Sequence, residues 1–264
     1  MTYCLALLNA QGLVMLADTR THSGVDHIHT NPKLFDFSVP TERVCVLMAS
    51  GNRAATQAAL ALVRRDLRLE LRPNLHSFDT LHEVANYVGE KLRLVESRDR
   101  AYLERDNFNF NPNFIVGGQL AGQPPELFHI YTQGNHIQAS RETPYLQLGE
   151  SKYGKPILDR GYRFDAPLFT TAVKYAMLSM NSTILSNASV GPPLDLIIYE
   201  ANSFEISHRH RLQANDPYLI KLQHTWQQAL RRSIETLPDF PWQTEPSRVG
   251  IYGSLEDDNL SGGT

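Results

Sequence analysis

The chain has 264 residues, 42% of them hydrophobic and 20% charged, with a formal net charge of -3 at pH 7. That length is enough to bury a substantial core. The interspersed acids and bases set up no one-signed field that would draw nucleic acid or an anionic membrane surface. No basic segment followed by a long apolar stretch opens the chain, and no window approaches the roughly 18 apolar residues of a membrane span. The expectation is a cytoplasmic protein with no nucleic-acid and no membrane partner.

Apolar runs at 3–9 and 13–18 flank a polar turn holding Asn9 and Gly12, and read as a β-hairpin that brings Thr2 and Asp18 to one end. A looser stretch over 19–32 leads to Lys33 and short strands at 34–37 and 42–49. Ser50, Gly51 and Asn52 then open a helix over about 53–71, with Ala55, Ala58, Ala59 and Leu62 at helical spacing and Pro73 closing it. A second helix is predicted from near Ser77 through Val84, Val88 and Leu92 to about residue 101.

A polar loop at 107–113 precedes strands at 114–119, 127–132, 137–140 and 145–148. Helices follow over 151–160 and 167–185, the longer one carrying Leu168, Ala172, Tyr175, Ala176 and Ser179 on one face. An apolar strand at 194–199 takes a hairpin partner at 204–208, and Leu219, Leu222, Trp226, Leu230 and Ile234 mark a helix over 218–234. That stripe reads first as packing on its own subunit and second as a contact surface. The tail from Pro238 contains Pro and Gly, and 257–264 is expected to be mobile. Strand runs segregated from helix pairs point to antiparallel sheets covered by helices, an α+β layering. No repeat or linker divides the chain. Cys4 and Cys45 sit in apolar strand runs, as reduced core thiols would.

Three constellations carry chemistry. Gly149, Gly154 and Lys155 have phosphate-loop spacing, but Pro156 stands where a magnesium-binding Ser or Thr belongs and removes a backbone donor. His27 and His29 with Asp26, or His208 and His210, converge on one side of a strand yet lack zinc-type partners, and read as exposed histidines. Thr2 is the strongest. Once Met1 is removed, it holds a hydroxyl and a free α-amine whose ordinary pKa of about 7.7 to 8.0 suits a base near neutral pH. Asp18 ends the hairpin strand beside it, Arg20 follows, and the Lys33 ammonium lowers the cost of an alkoxide. No cofactor or metal is expected.

The combination of Thr2, a hairpin ending in Asp18 and Arg20, then Lys33, then Met48, Ala49, Ser50 and Gly51 opening a helix resembles proteasome β-subunits and their bacterial relatives. The resemblance returns at Gly149 to Ser151 and from Ile157 to Asp165, ends in the stretch before the 194–199 strand, and covers about residues 2–210. The opening Met1-Thr2-Tyr3 without a propeptide and the C-terminal helical extension, about 211–264, look most like Anbu, the bacterial ancestral β-subunit group.

What the resemblance implies is one domain over 1–264 with the four-layer αββα sandwich of N-terminal-nucleophile hydrolases, two antiparallel sheets between helical layers. It implies a threonine-type peptidase acting on peptides or unfolded protein in a homo-oligomeric ring or open helical assembly. The alternative is a catalytically weak scaffold or binding module. Thr2 is then nucleophile and, through its amine, base; Asp18, Lys33 and Arg20 tune it. The Ser50 and Gly51 N–H groups form the oxyanion hole, and Ser189 orients the amine. The chain departs from the family at two positions. Counting from Asp165, Ser186 falls where an active-site Asp belongs, and Glu150 replaces an active-site Ser unless a one-residue shift brings Ser151 there.

Overall fold

The computed structural model describes residues 1–23, 27–206 and 208–242. By its contacts the chain divides into Met1–Trp226 and the segment from Gln227 on. Within the first unit two five-stranded antiparallel sheets lie face to face. In one, β1 (Tyr3–Asn9) and β2 (Gly12–Asp18) form the expected hairpin. The chain order brings two distant strands against that hairpin: β10 (Tyr145–Gly149) beside β1, and β11 (Leu194–Glu200) beside β2, with β12 (His208–Leu212) at the far edge. In the other sheet β5 (Leu34–Asp36), β6 (Arg43–Ser50), β7 (Asn113–Leu120), β8 (Glu126–Ile130) and β9 (His136–Gln138) follow one another as a meander.

All seven residues of β1 and of β2 are buried, because both faces of that sheet are covered. Side chains alternate between those faces. Leu5, Leu7 and Leu16 point to α3 (Lys155–Gly161) and α4 (Val173–Ser186), where they meet Leu158, Ala176 and Met180. Ala6, Met15 and Ala17 point the other way, against Val46, Met48 and Ile115 of the second sheet. The outer face of that sheet, with Leu47, Val116 and Phe128, is covered by α1 (Arg53–Arg68) and α2 (Leu81–Arg105) through Leu60, Val63 and Val88. The layers therefore run helix, sheet, sheet, helix, as the family resemblance implies.

Several boundaries differ from the sequence reading, each for a local reason. The stretch 19–32 is not loose: β3 (Arg20–Ser23) and β4 (His27–Thr30) pair as a separate ribbon. Helix α1 stops at Arg68, short of 71, because Glu70 turns into positive φ. Ser77 does not start α2. Its hydroxyl is taken up in a turn with Asn74, and Thr80 is the N-cap, paired with Glu83 in a capping box. The short helix begins at Lys155, not 151. The long one opens with a π turn over Leu168–Ala172. The partner of β11 is His208–Leu212 and not 204–208, since Asn202 and Phe204 both adopt positive φ and turn the chain there.

Helix α5 (Pro217–Glu235) has no buried residue. Leu219 and Leu222 lie against the core beneath α4, so the start of the stripe packs on its own subunit. No described helix is long and apolar enough to cross a membrane. The segment 257–264 and Asp26 lie outside the described residues.

Candidate active site

Strand pairing fixes the beginning of the chain. Tyr3 is opposite Gly149, and the Glu150 N–H donates to the Thr2 carbonyl at 2.8 Å. Gly149 has φ +80°, and a Cβ on it would overlap that same carbonyl, so this position requires glycine. On the other side of β1, Asp18 ends β2 with no exposed surface. Its Oδ1 accepts the Tyr3 N–H at 2.9 Å and the Lys33 ammonium at 2.7 Å; its Oδ2 accepts the Gly191 N–H at 3.4 Å. Lys33 Nζ also donates to the Arg20 carbonyl at 2.7 Å. Burial pushes the Asp18 carboxyl above the usual carboxylate range, against the pull of Lys33 and the two amides. One carboxylate oxygen thus ties the peptide unit following Thr2 to a buried ammonium.

Thr2 and Lys33 open on a cleft of about 960 Å³, together with Ser50, Gly51 and Ser151. Gly51, at φ +92°, packs against the Asn111 carbonyl. The Asn111 side chain accepts the Asn52 N–H at 2.8 Å, and Asn52 in turn caps α1 at the Ala55 N–H. The chain entering α1 is therefore held from the loop before β7.

The other expected residues fall elsewhere. Arg20 donates to the Ala188 carbonyl at 2.8 Å, and its guanidinium lies against Gly191, so it braces the loop after α4. Ser186 is the exposed last residue of α4, and Ser189 donates its N–H to Asn187 at 3.0 Å; neither lines the cleft. Glu150 is buried, accepting from Asn187 at 3.1 Å with Lys152 at 3.6 Å, and it is Ser151 that faces the cleft. Of the nine expected residues, Thr2, Lys33, Ser50, Gly51 and Ser151 share the cleft, and Asp18 stands directly behind it.

Sequence reasoning missed the opposite wall, formed by Asn109, Asn111, Asn113 and His129. The density of asparagines at 107–113 was the available signal. His129 lies 3.3 Å from the Asn113 amide oxygen, and burial holds its pKa down at about 4, so its ring is neutral at pH 7.

Of the competing constellations, the histidine group near the chain start has Asp26 and the His27 side chain outside what is described. Lys155 pairs with Asp159 at 2.7 Å on the helix surface and does not line the cleft. Among the described residues no three His, Cys, Asp or Glu side chains form a metal-binding group. Cys4 is buried with its Sγ 3.9 Å from the Ala49 carbonyl, and burial raises its thiol far above the range where a thiolate forms. A cleft lined by Thr2, by Lys33 with its ammonium fixed on Asp18, and by Gly51 ahead of a helix start holds residue types suited to acyl transfer.

No protein-family model matches the chain, and no curated protein does. Solved structures do. A structure described as the helical assembly of the Anbu complex from Pseudomonas aeruginosa is 42% identical, with a TM-score of 0.86, covering 92% of this chain and 100% of that one. Anbu, the ancestral β-subunit, from Yersinia bercovieri is 41% identical at a TM-score of 0.84, covering 90% and 98%. A Gly-1 mutant of Anbu from Hyphomicrobium sp. strain MC1 is 42% identical at a TM-score of 0.84, covering 91% and 99%.

Proposed function

From the premise that this chain belongs to the Anbu family of proteasome-like proteins, we propose that it is a threonine-type N-terminal-nucleophile hydrolase acting on amide bonds of peptides or unfolded protein. Removal of Met1 frees the α-amine of Thr2. That amine takes the proton from Oγ1, directly or through a water, as the oxygen attacks the substrate carbonyl carbon. The Lys33 ammonium, held by Asp18, lowers the cost of negative charge on Oγ1. The Gly51 N–H receives the oxyanion, whereas the Ser50 N–H, expected beside it, is turned to β7, where Ser50 pairs with Asn113. As the C–N bond breaks, the leaving amine takes the proton, and an ester links substrate to Thr2. Water then attacks the ester and gives its proton to the α-amine, which passes it to Oγ1 as the ester C–O bond breaks and the acid leaves, restoring the hydroxyl and the free amine.

The observation that carries this reading is the shared Asp18 Oδ1, which joins the amide after Thr2 to the cleft-lining Lys33. The competing reading, a proteasome fold kept as a scaffold without hydrolysis, draws on Glu150 pointing away from the cleft and on Ser186 and Ser189 lying outside it. Treatment with an acylating β-lactone separates the two. Labelling of the wild type with loss in Thr2→Ala is expected. Equal labelling of both would overturn the assignment of the nucleophile, and labelling of neither would favour the scaffold.

The Pseudomonas aeruginosa relative is described as a helical assembly. By that likeness this chain too assembles with its own copies, as a ring or an open helix; the cytoplasm is the place of work that its sequence alone suggests.

A further inference from the structure

We propose that the cleft selects anionic peptide segments, with Arg53 and Arg64 on α1 as the residues that recognise glutamate or aspartate side chains. This rests on the same cleft as the hydrolase reading and adds its substrate class. Five α1 residues line the cleft: Arg53, Thr56, Gln57, Leu60 and Arg64. Their spacing of three and four makes them one continuous stripe of the helix. Both arginines are exposed. Arg53 donates to the Asn31 side chain at 2.5 Å, and the Arg64 guanidinium sits 5.3 Å from the centre of the Phe35 ring. Neither has a carboxylate partner among the described residues.

The lining as a whole is cationic. Lys33, Arg53 and Arg64 face the cleft, and no Asp or Glu lines it among the described residues. The charge of Lys33 is already matched by Asp18, which leaves the two guanidinium groups to a ligand. Helix α1 reinforces them: its N-terminal turn lies at the cleft and carries no acidic residue, so the partial positive charge of the helix start is not cancelled. Phe35 and Leu60 form an apolar floor beside the guanidinium groups, where a carboxylate is held by charge-assisted, fork-shaped hydrogen bonds. A lysine in the same place meets like charge with nothing to neutralise it, so discrimination comes from repulsion as well as attraction.

The test uses full-length Thr2→Ala protein, in which binding is read apart from hydrolysis. Three fluorescein-labelled peptides, identical except for glutamate, leucine or lysine at the central positions, are titrated by fluorescence anisotropy at low and high salt. The glutamate peptide is expected to bind on the order of tenfold more tightly than the lysine peptide at low salt, with the difference shrinking as salt screens it. Adding Arg53→Gln and Arg64→Gln is expected to erase the preference, and Arg53→Lys with Arg64→Lys to retain part of it. Equal binding of the glutamate and lysine peptides, or a preference that survives the glutamine pair, overturns the proposal. Failure of the β-lactone to label the wild type overturns the nucleophile and leaves the peptide preference standing. The two failures are thus distinct.

Discussion

The Asp18–Lys33 pair is buried on both sides, with 0% and 7% of each residue exposed, and such a pair is costly to break from one side. Asp18→Ala leaves the ammonium in the interior without a counter-charge and the Tyr3 N–H without its acceptor. The expected loss of stability is about 3–5 kcal/mol by urea denaturation; a loss below about 1 kcal/mol would mean that the ammonium finds water or another partner. Lys33→Ala strands the buried Asp18 carboxyl in the same way and is expected to cost a comparable amount of stability; in whatever fraction urea denaturation shows to be folded, β-lactone labelling is expected to be lost, because the amine of Thr2 then works without the neighbouring positive charge. His129 tests burial at the cleft wall. Its ordinary pKa of 6.5 falls to about 4 in the folded chain, so between those values the unfolded chain binds a proton that the folded chain refuses. The stability contributed by His129 therefore declines as pH drops from 6.5 towards 4, and His129→Gln removes that part of the decline. An imidazole signal titrating near 6.5 in the native protein would contradict this.

Elements place the site by close approach, which gives a sharper test than side-chain chemistry alone. Gly149→Ala drives a methyl into the Thr2 carbonyl at the end of β10, so it is expected to unseat the chain start and abolish labelling while the distant α2 capping box is untouched. Thr80→Ala is the converse: it costs about 1 kcal/mol through the lost cap and leaves labelling unchanged. If Thr80→Ala removed labelling as well, global instability would be the cause in both. The same elements show what the sequence makes readable. The β1–β2 hairpin and the start of α1 were visible because Asn9, Gly12, Gly51 and Asn52 carry strong local turn and cap chemistry. The β3–β4 ribbon was not, since its residues are largely polar and show no alternation. β12 was misplaced because Phe204 and Ile206 look more strand-like than the polar stretch that pairs with β11. Local chain order is enough to bring Thr2, Asp18 and Lys33 together at one end of the hairpin. Asn111 and His129 reach the cleft through a sheet pairing that no local pattern encodes, and Arg20 could not be told from a cleft residue before the loop at Gly191 was seen against it.

For the molecule as a whole, the αββα layering follows from burial on both faces of β1 and β2, whereas the insertion of those strands between β10 and β11 rests on pairings between distant segments that no periodicity encodes. Sedimentation velocity is expected to show a particle several times the 29.8 kDa of one chain, and a monomer across the accessible concentration range would remove the assembly from the proposal. Everything catalytic depends on Thr2 being the first residue of the working enzyme. Intact and fragment mass spectrometry of β-lactone-treated protein reads this directly. The prediction is a chain lacking Met1, unacetylated, with one adduct on Thr2. A chain that keeps Met1 or carries an acetyl group, with the adduct on another residue, would contradict it.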